Sequence, residues 1–153
     1  MKKRNSFTLL RREDGASLVE LAIMLPMFLL LLFGAVDIGR AFYLATEVSE
    51  AAHSAAAYGS QNPTDTTGIE TTGRDGAPNV PNLSVGTPTY GCECADGTSY
   101  SANCGTTPSC PSNNVVYRVK VTVTATYTPL FPWPTFPSSI AFSSTASMRS
   151  AGS

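Results

Sequence analysis

The chain has 153 residues, of which 42% are hydrophobic, and its formal net charge at pH 7 is −1. This length allows one domain plus a membrane segment, and the near-zero charge gives no electrostatic basis for binding nucleic acid. The basic residues are nevertheless unevenly placed, because half of them precede the first long apolar stretch: Lys2, Lys3, Arg4, Arg11 and Arg12. The positive-inside rule therefore predicts a cytoplasmic N-terminus and a C-terminal part outside the cytoplasm.

The apolar stretch lies between Glu20 and Asp37, and no other charged residue interrupts it. With Leu18 and Val19 it reaches roughly the 17–25 residues that cross a hydrocarbon core as a helix. A cleaved secretory signal is one rival interpretation, but its apolar region is shorter, about 7–15 residues, and ends in a small-x-small site. An uncleaved one-pass anchor with Glu20 at the headgroup edge is the other. An acid at the bilayer centre costs at least ~2–3 kcal/mol, and less near an edge, so Glu20 requires a partner.

The start of the apolar stretch resembles a known processing signature. A basic leader ends in Gly15, the small residue Ala16 follows, and Glu20 is the fifth residue after the glycine. This arrangement is similar to that of type IV pilin-like proteins. The run of residues 15–22, followed by the apolar helix and by Asp-Ile-Gly-Arg at residues 37–40, most resembles the TadE-like family. Members of that family are minor pilins or pseudopilins of the tight-adherence (Flp) pilus system.

The resemblance implies that residues 1–15 are a leader, removed on the cytoplasmic face by a membrane-embedded prepilin peptidase. Cleavage after Gly15 would leave a new α-amino group on Ala16, and Glu20 would pair with that group of a neighbouring subunit. Such a pair offsets the cost of burying the acid and fixes the register between helices. The implied partners are the peptidase, other pilin or pseudopilin subunits, the inner-membrane assembly machinery and the lipid bilayer. The implied location is the bacterial inner membrane, with incorporation into a surface pilus as a further step.

A long helix is predicted next, with residues 16–36 crossing the membrane and residues 37–59 continuing outside it. Small apolar residues recur at i, i+3 and i+4 between Ala41 and Ala56. This spacing indicates a helix face buried against the chain's own sheet or, alternatively, against other subunits. We expect Pro26 to loosen or kink the helix inside the membrane. Gly59 is expected to end the helix in a left-handed conformation.

The middle of the chain is predicted as loop, because residues 60–81 are rich in Thr, Gly, Asp, Asn and Pro. Four cysteines follow, at positions Cys92, Cys94, Cys104 and Cys110. Outside the cytoplasm this even number predicts two disulfides. Cys92 and Cys94 are too close to pair with each other, so each is expected to bridge to one of the other two, and both connectivities stay open. A zinc ion held by four thiolates is the rival, but paired C-x2-C knuckles are missing.

The C-terminal part is predicted as sheet. Residues 115–127 alternate with period two, and their odd-numbered face is expected to pack on the small-residue face of the helix. Residues 140–148 alternate again and predict a second, antiparallel strand, and residues 83–85 predict a short one. The proline-rich segment between the two long strands contains Trp133. It could be a packed hairpin corner, an exposed contact surface or a segment that rests on lipid headgroups.

These elements predict an α+β fold, in which a long N-terminal transmembrane helix continues outside the membrane and packs on a small antiparallel sheet. Residues 60–153 would form the disulfide-stapled head, as in pilin-like proteins. The function that the resemblance implies is that of a membrane-anchored minor pilin or pseudopilin of a tight-adherence (type IVb) pilus. The alternative is an uncleaved, membrane-anchored binding or adhesive domain. No catalytic residue, metal ligand or cofactor is assigned, because the single histidine, His53, gives no convincing acid–base pair and no phosphate loop or nucleophile elbow is present.

Overall fold

The structure, a computed structural model, describes residues 13–102, 104, 110, 114–131 and 137–150. The five basic residues of the leader and Trp133 lie outside this described part. The chain forms two units, Met1–Ile38 and Gly39–Ser153. The limits predicted above for the leader, the membrane segment, the outer helix and the head were drawn from the sequence, and they remain predictions.

The first element is the helix α1, Glu13–Gln61, which is 49 residues long and contains Pro26. It confirms the predicted long N-terminal helix. The expectation that Gly59 ends this helix is wrong, since α1 continues past it. Gly59 is buried, and a Cβ there would lie 3.0 Å from Cδ1 of Ile69 and 3.2 Å from Cγ2 of Val119. The glycine therefore allows close packing in the second unit.

The second unit contains an antiparallel sheet built around one long strand. Five strands are described: β1 (Ser84–Val85), β2 (Thr89–Cys94), β3 (Tyr100–Ser101), β4 (Val115–Tyr127) and β5 (Ile140–Ser150). β5 pairs with one edge of β4, from Tyr117 opposite Ser150 to Tyr127 opposite Ile140. β1 and β2 share the other edge of β4, and β3 pairs with β2. The α+β prediction is confirmed, and β1, β4 and β5 lie where the alternation predicted them.

The hydrophobic core lies between the second half of α1 and one face of β4. Val119, Val121 and Val123 have no exposed surface, and each such burial stabilises the fold by about 1.5–3 kcal/mol. On α1 the small-residue face supplies the opposite side. Its fully or almost fully buried members are Val48, Ala51, Ala52, Ala55 and Ala56. The odd-numbered face of β4 thus packs on the alanine-rich helix face as predicted, since small side chains allow the helix to approach the sheet closely.

A second helix, α2 (Thr66–Asp75), occupies part of the segment predicted as loop, so that prediction is wrong there. Threonine and glycine are poor helix formers, but one local cap and one tertiary contact outweigh their low propensity. The Asp65 carboxylate accepts a hydrogen bond from the Gly68 N–H at 2.9 Å, which caps the helix. The side chain of Ile69 is completely buried in the core. One buried isoleucine and one cap therefore hold a helix that composition alone did not indicate.

Asp65 makes the stability of α2 depend on pH. The Gly68 N–H and the Tyr58 hydroxyl, which donates at 2.7 Å, lower the pKa of this carboxyl from 3.8. A carboxylate with a lowered pKa stabilises the folded state above its unfolded pKa, and this contribution is lost as the pH falls through the lower folded value. We predict that Asp65→Ala lowers the melting temperature at pH 7, and that the difference from wild type narrows as the pH falls below about 3.8.

The matched control for this prediction is Asp75→Ala at the other end of α2, where the side chain is also exposed. It should leave the melting temperature at pH 7 unchanged or slightly raised, since an acid at a helix C-terminus opposes the helix dipole. Melting curves of the full chain in detergent, followed by circular dichroism, give both values. Equal melting temperatures for wild type and Asp65→Ala at pH 7 would contradict the proposed cap.

Candidate functional site

The predicted processing and register residues lie at the beginning of α1. Gly15 and Ala16 are in its first turns and Glu20 follows one turn later. Ala16 and Glu20 are four residues apart, so they share one face of the helix and differ in height by about 6 Å. Gly15 is exposed, and a Cβ at this position would contact nothing within 4 Å. A side chain at position 15 would thus meet no obstacle from other described parts of the chain.

The segment after Glu20 exposes apolar side chains almost continuously. Large residues such as Ile23 (66% exposed) and Leu31 (72% exposed) point away from any protein contact, and only 6% of the most apolar 18-residue window is buried. Exposing so much contiguous apolar surface to water is unfavourable, and soluble monomers rarely do it. By its length and composition, α1 is able to cross a membrane.

The charges around this apolar segment are placed at its two ends. Glu20 is exposed near the beginning, whereas Asp37 is buried, with 6% of its surface exposed. No acidic or basic residue lies between them. A carboxylate at the edge of an apolar surface keeps its charge only where water, headgroups or a cation reach it. Glu20 is therefore the exposed carboxylate at the beginning of this segment, and Asp37 is the buried one at its end.

The cysteines form a second, separate cluster in the Gly39–Ser153 unit. The structure pairs Cys92 with Cys104 and Cys94 with Cys110, with Cα–Cα distances of 5.5 and 5.4 Å. Both distances are typical of disulfides. Cys92 and Cys94 are fully buried on β2, and because they are two residues apart they point to the same face of the strand. Of the two connectivities that the sequence left open, the structure contains this one.

Sequence reasoning missed the polar arrangement on the other face of β2. Glu93 and Arg118 form a partly buried ion pair across β2 and β4, and the Tyr100 ring lies over Gly91, where no Cβ would fit. A separate open cleft of about 450 Å³ has Tyr90 and Tyr117 among its lining residues, and both lie on the face of the sheet that carries Cys92. The alternating pattern of β4 predicted the polar face to which Arg118 belongs, but no pattern in the sequence indicated that β2 pairs with β4. Among the described residues, no group of three or more His, Cys, Asp or Glu is placed to hold a metal ion.

The cysteine pairing can be tested with two double variants that each leave one pair of thiols. Cys92→Ala with Cys104→Ala keeps Cys94 and Cys110, which we predict form a bridge. Cys92→Ala with Cys110→Ala keeps Cys94 and Cys104, which we predict remain reduced. The check is the intact mass after alkylation without reductant, on protein exported to an oxidising compartment. Loss of the Cys94–Cys110 bridge should also destabilise the chain by about 3 kcal/mol, as expected for a loop of this length.

Two results would contradict this pairing. The first is alkylation of both remaining thiols in the variant that keeps Cys94 and Cys110. The second is quantitative closure of the bridge in the variant that keeps Cys94 and Cys104. Wild-type protein that takes up alkylating reagent before reduction would argue against disulfides altogether.

Comparison with known proteins bears on the N-terminal segment. The family model of TadE-like proteins matches residues 15–57. Neither the curated proteins nor the solved structures gave a match to the chain. The matched residues include Gly15, Ala16, Glu20 and most of α1, and the family consists of pilus-associated structural proteins. Residues 15–57 are therefore similar to TadE-like proteins, as the resemblance in the sequence predicted.

Proposed function

We propose that the protein is a minor pilin or pseudopilin that takes part in assembling a tight-adherence (Flp, type IVb) pilus. A prepilin peptidase would remove residues 1–15, and the mature chain would remain in the inner membrane with its C-terminal head outside the cytoplasm. There it would contact other pilin subunits and the assembly machinery. Its role would be structural, and no catalytic residue is assigned to it.

One observation carries this proposal: an acidic residue lies one helical turn after the cleavage position, at the edge of an exposed apolar helix surface. Lipid or neighbouring apolar helices would cover that surface. Cleavage after Gly15 would create an ammonium group on Ala16, on the same helix face as Glu20. The carboxylate of one subunit would then meet the ammonium of the next. Two opposite charges in a medium of low dielectric attract strongly, and their pairing sets the axial position of adjacent helices.

The helical start of α1 also bears on how cleavage would occur. Gly15 lies inside the first turns of α1, whereas a protease acts on an extended backbone. The first four N–H groups of a helix lack partners within it, and glycine destabilises a helix by up to ~1 kcal/mol relative to alanine. The first turn would therefore unwind readily in the peptidase.

The register role predicts a specific defect in Glu20→Ala. This variant should be processed and inserted like wild type, but it should enter the pilus fraction at least about tenfold less, which corresponds to about 1.4 kcal/mol. The reason is that the neighbouring ammonium would lose its counter-charge inside the membrane. The measurement is the amount of the chain in sheared pili, and in complexes captured from membranes, in cells that carry the complete tight-adherence machinery.

Glu50→Ala is the matched control, because Glu50 is an exposed glutamate on the same helix but outside the apolar segment. It should assemble at the wild-type level, and Glu20→Asp should assemble better than Glu20→Ala. Normal incorporation of Glu20→Ala would contradict the register role.

The second candidate is an uncleaved membrane-anchored binding domain. The observation that favours it is the open cleft beside Tyr90 and Tyr117, since aromatic side chains in a concave surface suit binding. Under this alternative, Glu20→Ala would have no effect on pili, and substitutions in the cleft would alter attachment to a surface.

A further inference from the structure

Large apolar side chains are exposed at two separate places in the unit that begins at Gly39. One group comprises Phe42 (75% exposed), Tyr43 (51%), Leu130 (55%) and Phe131 (38%). We call these four residues together with Arg40 the Arg40 patch. The other exposed aromatic residues of this unit among the described residues are Tyr90, Tyr100 and Tyr117.

A contact between Arg40 and Tyr127 links α1 with the end of β4. The Arg40 guanidinium lies over the ring of Tyr127, 5.9 Å from its centroid, which is within the range of a cation–π interaction. Phe42 and Tyr43 follow Arg40 within one helical turn. Leu130 and Phe131 follow Tyr127, the last residue of β4, by three and four residues. The contact therefore places Arg40 of α1 at the end of β4 that leads into Leu130 and Phe131.

The second aromatic group lies at the opposite end of the sheet. Tyr117 is ten residues before Tyr127 on β4, a separation of about 33 Å along a strand. Tyr90 pairs in register with Val119, close to Tyr117. If β4 stands perpendicular to a flat surface, only one of the two groups can therefore contact that surface.

The position of Arg40 in the chain indicates what faces its patch. Arg40 is the first basic residue after the apolar stretch and is three residues past Asp37. At 1.5 Å per residue, residues 37–43 of a helix rise about 9 Å. The polar layer on each side of a bilayer is about 5–8 Å thick. If residues 17–36 cross the hydrocarbon core, the residues from Arg40 to Tyr43 lie in or at that polar layer.

We propose that the Arg40 patch docks on the phospholipid headgroup layer of the membrane that α1 crosses. This proposal rests on the membrane anchoring in the proposed function. The guanidinium would bind a lipid phosphate, and Phe42, Tyr43, Leu130 and Phe131 would enter the interfacial region. Aromatic side chains are enriched in that region, and arginine pairs favourably with phosphate. Through the contact between Arg40 and Tyr127, the end of β4 would be held against the membrane.

The test places a single tryptophan at chosen positions of the full chain, in a Trp133→Phe background. The protein is reconstituted into phospholipid nanodiscs, with or without lipids brominated near the headgroup end of the acyl chains. We expect Leu130→Trp and Phe131→Trp to lose more than half of their fluorescence with brominated lipid. Tyr117→Trp, the matched control at the far end of β4, should lose less than a tenth. A patch variant counts as folded if its melting temperature lies within a few degrees of that of the Trp133→Phe parent protein.

Leu31→Trp, inside the apolar segment, separates the two ways in which the proposal can fail. Quenching of Leu31→Trp without quenching at positions 130 and 131 overturns the docking of the patch and leaves the membrane anchoring intact. Absence of quenching in Leu31→Trp overturns the anchoring and the docking together. Equal quenching at positions 117 and 130 also overturns the proposal, because the contact would then not be specific to this end of the sheet.

Discussion

The exposed apolar surface of the first part of α1 is the constraint on which the rest of this account depends. Its large apolar side chains are mostly exposed, so an apolar surrounding has to cover them. The same helix, beyond Arg40, presents alanines to the sheet and is buried by the chain itself. One helix thus has two surroundings. Side-chain size reflects the division, since bulky residues face outward in the first part and small residues pack on β4 in the second.

The parts of the fold that the sequence predicted are those with a strong periodic signal. From Val119 to Tyr127, buried residues of β4 alternate with more exposed ones without interruption, and the helix face from Ala41 to Ala56 keeps its spacing over several turns. Both patterns have one buried side, so register errors would move valines or alanines to solvent. The elements that the sequence did not predict are short or depend on tertiary contacts. α2 depends on the Asp65 cap and on the burial of Ile69, while β3 has two residues and exists only as a partner of β2.

Some residues of the candidate site could be predicted from the sequence and others could not. Gly15, Ala16 and Glu20 could be identified from the sequence, because their meaning lies in spacing along one helix, and residues 15–57 match the TadE-like family. The cysteine connectivity could not, because it depends on which strand lies beside β4. β2 pairs with the first half of β4 and holds Cys92 and Cys94 on one face, and the structure pairs them with Cys104 and Cys110. The ion pair of Glu93 with Arg118 likewise requires that pairing to be known.

The register role of Glu20 requires a new amine to be created next to this acid, at the edge of the apolar helix surface. The most direct measurement is the intact mass of the protein purified from membranes of cells that contain an active prepilin peptidase. The account predicts a chain that begins at Ala16, whether or not its amino group carries a methyl group. A mass that still includes Met1 and the basic leader, in cells that process their other prepilins, would contradict it. A chain that begins beyond Val36 would contradict it as well, because the apolar helix would then be a secretory signal.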